Sequence, residues 1–421
     1  MRVPKSVLSA LFLSTLTLSA CGGRPPRVPV APAPNPTLAI IRVNLWDGTG
    51  RPAVANAVTL VRAGRIVCAG VASDCPVPRG ARILDGQGRW LIPGLIDSHV
   101  HLLFLTHGSA GEELSLDLRN LLAQGVTTVR DMGTNPAALL ARVNALIPSP
   151  RVYAMQLVAG RRFFFNGFQG TRTSRGTVYR QPPAMAMQSL GWTPILFTPN
   201  DDADSVVEVA RNAGAMGLKL YAQLDAESVQ RLTEAAHRAG MPVWGHAWVQ
   251  PASALEQVLG GQDGMVDAAG LAGELFSHEE RDTLVSDGTL QVATAQVATV
   301  GSAHDPRILA ALDSMAVRGT FFEPTLDATR QSVAYYNAKR RHIPSEQEDY
   351  VRAAAGFGIE IAREAVKRGV RISAGSDHVA YGPAMERASL FGELKLLVDS
   401  VALTPQAALL AATRDAARAL G

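Results

Sequence analysis

Residues Leu91–Leu102 read LIPGLIDSHVHL, an apolar run that ends in two histidines, His99 and His101. The Pro93-Gly94 break before it and the apolar, β-branched residues after it predict a strand. Residues two apart in a strand point to the same face, so both imidazoles project together, within reach of one ion. An H-x-H pair alone fits two structural histidines better than a metal site, and the rest of the chain has to decide.

Toward the N-terminus, short β-type runs (LAIIRVNLWD, AVTLVRAGRIVCAG, ARILDGQGRWLIP) are separated by Gly, Pro, Asp and Asn, which predicts a small sheet or sandwich layer over 38–92. After Pro93 the texture becomes apolar strands alternating with helices, the pattern of a parallel α/β arrangement. Eight strands are predicted: 95–101, 127–131, 151–159, 217–222, 242–247, 264–268, 321–326 and 371–377. Ser277-His278-Glu279-Glu280 reads as a capping box opening one of the intervening helices. Eight such units over 93–421 predict a (β/α)8 TIM barrel, whose active sites lie at the C-terminal ends of the strands. His99 and His101 end the first strand, Lys219 and Tyr221 the fourth, His246 the fifth and Asp377 the eighth. Structural histidines have no reason to collect at strand ends, so the metal-site reading gains.

With 421 residues, 47% hydrophobic and 18% charged, the chain has material for a barrel and a smaller domain. A net charge of +3, with no basic run and no zinc-knuckle spacing, argues against a nucleic-acid partner. Residues 1–20 combine a basic start, the apolar stretch Val7–Leu18 and small residues, the make-up of a secretory signal rather than a membrane span. Leu18-Ser19-Ala20-Cys21 resembles a bacterial lipobox, which implies a mature chain lipidated at Cys21, exported and anchored to the cell envelope on the periplasmic side. The Pro-rich stretch that follows, to residue 37, would hold a globular domain off the membrane. In an oxidising compartment Cys68 and Cys75 can form a disulfide, and two free thiols fit the spacing as well.

In order along the chain, PGLIDSHVHL, GVTTVRDMG, GLKLYA, VWGHAW, the PTL of FFEPTL, ISAGSD and LTPQAALLAAT resemble the amidohydrolase superfamily, in its branch of metal-dependent barrels carried on a composite β-sandwich. The resemblance covers the chain from about Leu38 to its last residue. It implies that His99 and His101 ligate one divalent metal, zinc or a similar ion. It further implies that Lys219, carboxylated on its amine, bridges to a second metal bound by His246, and that Asp377 is both ligand and proton shuttle. A divalent ion acidifies water and polarises a carbonyl, so the implied activity is hydrolysis of amide bonds in small peptides, cyclic amides or N-acyl compounds. Tyr221 shares the face of Lys219 and is a candidate to bind substrate, or else packs at the rim. The segment 161–181, rich in Arg and Phe, follows strand three and would either receive substrate or pack on neighbouring helices.

The chain departs from the family pattern in two places. Where the family has a histidine at the end of strand six, this sequence has Asp267. Carboxylate oxygen also binds zinc, so the expectation is one firmly held ion and a second, weaker one. The family also runs on past a stretch such as AATRDAARALG into strands that return to the sandwich, so either a smaller sandwich or a truncated reading frame is expected. A competing function is a degenerate, non-catalytic barrel that binds a small ligand, and the same apparatus would also cleave an ester or lactone.

Overall fold

The computed structural model describes residues 37–103, 110–146, 148–161, 163, 194–283, 301–331, 345–379 and 389–421. The expected signal peptide, Cys21 and the Pro-rich spacer up to residue 36 lie outside the described residues, as does the segment 161–181 apart from Arg161 and Phe163. The chain forms two compact units.

The smaller unit, described over 37–45 and 54–90, is a sheet with strand order Arg65–Val71, Val54–Arg62, Leu38–Leu45, Arg82–Asp85. The first two strands of the chain, Leu38–Leu45 and Val54–Arg62, pair antiparallel, and Arg65–Val71 continues as a hairpin. That hairpin turns on Ala63 and Gly64, both at positive φ (48° and 73°), the left-handed pair that matches strand twist in a two-residue loop. Ala39, Val58, Leu60 and Cys75 form its core. Of the two readings left open for the cysteines, the disulfide is the one found: Cys68 and Cys75 are bonded, with Cα atoms 5.7 Å apart.

The larger unit holds eight parallel strands in sequential order: Leu95–His101, Val126–Asp131, Arg151–Gly160, Gly217–Leu220, Val243–His246, Gly264–Val266, Phe321–Glu323 and Arg371–Ile372. A short extra strand, Ile195–Phe197, pairs alongside the third. The last strand is broken. Arg371–Ile372 pairs with strand seven, whereas His378–Val379, a few residues on, pairs with strand one, and Asp377 N–H donates to His99 O at 2.9 Å. The sheet thus closes on itself as the (β/α)8 barrel that the alternating pattern implied.

Helices cover the outside because their sequences carry an apolar face and a start signal. In Ala110–Ala123, Leu114, Leu118 and Leu121 recur at helical spacing and are buried, each burial contributing about 2 kcal/mol. Asn135, Asp202, Asp225, Ser253 and Asp305 each accept a first-turn N–H, so the loops after the strands end in helix caps. The predicted capping box is present: Glu280 N–H donates to Ser277 Oγ at 3.2 Å, and Ser277 N–H to Glu280 Oε2 at 2.7 Å. No helix among the described residues is long and apolar enough to cross a membrane.

Inside the barrel the filling is not purely apolar. Arg130, from strand two, is fully buried with its guanidinium 3.7 Å above the ring of Trp244, beside Met132, Met155 and Phe321. Its Nε donates to Ser98 O at 2.8 Å and its Nη1 to Ala419 O at 3.2 Å. A buried guanidinium needs an anion, and Glu323 Oε2 supplies it at 3.3 Å.

Candidate metal centre

Three ligand atoms converge at the C-terminal ends of strands one and eight. Nε2 of His99 and Nε2 of His101 are 3.3 Å apart, and Oδ1 of Asp377 lies 3.3 Å from the first and 3.2 Å from the second. A tetrahedral ion with ligands about 2.0 Å away separates them by about 3.3 Å, so this triangle has the size of one face of a zinc tetrahedron. Among the described residues it is the one group of three such side chains found to converge.

The triangle is set by the closure between strands one and eight. Asp97 Oδ1 accepts Ser376 N–H at 2.9 Å and Oδ2 accepts Ser376 Oγ–H at 2.6 Å, tying the turn before Asp377 to the strand that carries the histidines. Burial raises the Asp97 carboxyl to about 6 against these hydrogen bonds. At the end of strand two, Asp131 Oδ2 accepts Leu102 N–H at 2.7 Å, fixing the chain just after His101. Asp377 adopts a left-handed φ of 53°, and so do Asp267 (72°) and Thr325 (51°) at the neighbouring strand ends. Such backbone costs about 1–2 kcal/mol per non-glycine residue and collects where function over-determines it.

The sequence reading passed over Glu323. Its Oε1 lies 3.1 Å from Nδ1 of His99, and its Oε2 accepts the Ser98 hydroxyl as well as facing Arg130. An acid and an arginine inside the apolar runs FFEP and TTVRD were the available signals, but their pairing across the barrel was not. Burial alone would depress the His99 imidazole, yet Asp377 and Glu323 outweigh it and raise it. Burial would likewise raise Asp377, and His99, His101 and Lys219 overcome it, so the carboxylate is held well below its ordinary value.

Lys219 is buried, and its Nζ has no hydrogen-bond partner among the described residues. Burial lowers its amine to about 8, with Asp267, Glu323 and Asp377 opposing that shift. His246 and Asp267 stand together: Nε2 of the imidazole is 3.2 Å from Oδ2 of the carboxylate, and Asp267 Oδ1 accepts the Thr325 hydroxyl at 2.8 Å. Nδ1 of His246 accepts Trp248 N–H at 3.1 Å. Burial depresses the His246 imidazole, and Asp267 partly offsets this. Tyr221 packs edge-on against both His246 and Phe163, centroids 5.6 Å apart in each case, and burial raises its phenol above the ordinary value. His278 opens the helix His278–Thr283 and is not among the converging ligands.

The sequence profile of the amidohydrolase family matches residues 90–421. The imidazolonepropionase of Xanthomonas campestris pv. campestris (strain 8004) is 36% identical over 121 residues, 26% of this chain and 29% of the relative. The chain thus aligns with under a third of the length of such curated relatives, 28–29%. A Xaa-Pro dipeptidase with bound methionine in its active site superposes with a TM-score of 0.66 at 17% identity, covering 91% of this chain and 88% of that one. The A. niger ochratoxinase gives 0.64 at 18% identity, covering 92% and 84%. At these identities the superpositions show the shared fold. The family profile spans the barrel and the residues of the triangle, and the chain belongs to the amidohydrolase family.

Proposed function

We propose that the chain is a metal-dependent hydrolase of carbon–nitrogen bonds in small amides, such as dipeptides, N-acyl amino acids or cyclic amides. The observation that carries this reading is the triangle of His99, His101 and Asp377, with sides of 3.2–3.3 Å at the mouth of the barrel. The donor set fits a divalent ion of the zinc type: two imidazole nitrogens and one carboxylate oxygen, with the buried amine of Lys219, which has no hydrogen-bond partner among the described residues, electrostatically coupled to Asp377. As its carbamate, Lys219 would be anionic and able to join the ligand set. A divalent ion held there would supply acidified water and polarise the scissile carbonyl.

The chain's own groups account for the proton traffic. Asp377 is ionised at neutral pH, so its carboxylate takes the proton of the attacking water and hands it to the leaving amine. Tyr221 keeps its phenolic hydrogen in this buried setting and donates it to an oxygen of the substrate. Asp267 occupies the position expected of a histidine, and with His246 it offers a two-ligand site for a second ion. That site is the weaker one. Because His246 Nδ1 accepts Trp248 N–H, the neutral ring carries its hydrogen on Nε2, which faces Asp267, and an ion must displace it.

Names of relatives point the same way: one is a Xaa-Pro dipeptidase and another an imidazolonepropionase. Export and anchoring through Cys21 complete the reading, supported by the LSAC stretch and by the Cys68–Cys75 disulfide, which suits an oxidising compartment. The test is to assay metal-free and zinc-, manganese- or cobalt-reconstituted protein against dipeptides, N-acyl amino acids, cyclic amides, aryl esters and lactones. Metal-dependent turnover of amides is expected. Turnover confined to esters and lactones, or a metal-loaded protein that hydrolyses nothing, would overturn the amidase reading.

A further inference from the structure

Glu323 sits among the charged groups of the barrel but belongs to no ligand set. Its Oε1 is 3.1 Å from Nδ1 of His99, an ion-pair contact, and neither atom has a hydrogen-bond partner among the described residues. Its other oxygen is held by the Ser98 hydroxyl and by Arg130 at 3.3 Å. Arg130 is itself immobilised by Ser98 O, Ala419 O and the face of Trp244. Strand eight leaves room for this approach only because residue 375 is glycine: a Cβ there would lie 2.5 Å from Cβ of His99 and 2.6 Å from Cδ of Glu323.

We propose that Glu323 is a positioning residue that selects the tautomer of His99. Carboxylates only accept, and two face the ring: Glu323 Oε1 at 3.1 Å meets Nδ1 alone, whereas Asp377 Oδ1, 3.3 Å from Nε2, is shared with Nε2 of His101 at 3.2 Å. The single hydrogen of a neutral His99 ring therefore belongs on Nδ1, and His101 supplies the donor to Asp377. The lone pair is then on Nε2, the nitrogen that faces His101 and Asp377. Arg130 pairs with Oε2 at 3.3 Å and so fixes which oxygen of Glu323 meets the imidazole. This role rests on the reading of His99 as a ligand, since only a ligand needs that lone pair on Nε2.

Glu323→Gln separates positioning from mere charge balance for Arg130. Arg130 has only donors, so the amide of the variant turns its oxygen to the guanidinium and its NH2 to His99. Nδ1 must then accept, and the hydrogen moves to Nε2. Two measurements follow, both on metal-free protein at first. Nitrogen chemical shifts of 15N-labelled histidine, recorded where the ring is neutral, should show His99 as Nδ1–H in wild type and Nε2–H in Glu323→Gln. Titration with zinc against a chromophoric chelator should show affinity reduced about 10- to 100-fold in Glu323→Gln and largely restored in Glu323→Asp.

A wild-type His99 with its hydrogen on Nε2 would overturn the proposal without any variant, so poor folding of Glu323→Gln leaves it testable. Unchanged tautomer and affinity in a folded Glu323→Gln would overturn it too. Wild-type protein that binds no zinc would instead defeat the metal reading, and the tautomer measurement would still decide the part played by Glu323.

Discussion

Oδ2 of Asp267 lies 3.2 Å from Nε2 of His246, so the carboxylate that replaces an expected histidine reaches into the site instead of turning away. Its other oxygen is occupied by the Thr325 hydroxyl, and its backbone is left-handed. The two side chains form a preformed contact that an ion bound between them would have to displace.

Wild-type protein should therefore keep one zinc per chain after exhaustive dialysis and lose a second, and Asp267→His should keep two. Elemental analysis of both proteins reads this directly. Two retained ions in the wild type would mean that Asp267 is a full ligand.

Asp377→Asn removes the proton acceptor but leaves an oxygen at the corner of the triangle. The expected result is a loss of turnover by about 10²- to 10⁴-fold with most of the tightly bound metal retained. Turnover near the wild-type value would rule out proton transfer by Asp377.

Glu393, buried in the helix Leu390–Asp399, accepts Asp327 N–H at 2.8 Å through Oε2, and burial raises its carboxyl well above the ordinary value, with the nearby Asp327 adding to the rise. An acid with a raised folded value binds its proton more tightly folded than unfolded. Its stabilising contribution is full below the unfolded value near 4.5 and declines as pH climbs toward the folded value. Glu393→Gln, which never ionises, should gain thermal stability relative to wild type as the pH is raised from about 5 to about 8. Melting curves across that range would show a gap that widens with pH, and a constant gap would mean that Glu393 does not carry the proton.

Cys21→Ala should move the protein out of the membrane fraction and abolish labelling by fatty acid. If the unaltered protein takes up no label and the variant partitions as before, the lipid anchor is disproved.

The barrel could be read from the sequence because each of its strands is an apolar run closed by a turn or by a polar residue, as LIDSHVH is by His101 and VWGHA by His246. The last strand was the least regular. Read as 371–377, it pairs only over Arg371–Ile372 before shifting to His378–Val379, because the chain leaves one neighbour to reach the other. The converging side chains of His99, His101 and Asp377 could be read from their strand-end positions and from the family resemblance. Glu323 and Arg130 could not, since a pair separated by 193 residues is joined only by barrel closure, and neither run announces a partner. The same holds for Asp97 and Ser376, whose contact turns a strand residue into a brace for the turn that carries Asp377.

The break in the eighth strand makes the triangle a product of ring closure. His99 and His101 leave the ribosome with the first barrel strand, whereas Asp377 emerges with the last, and the two meet only where His378–Val379 zips onto Val100–His101. A nascent or nicked chain that lacks this seam presents two histidines and no third corner. The triangle of two imidazoles and a carboxylate therefore exists only once the ring has shut.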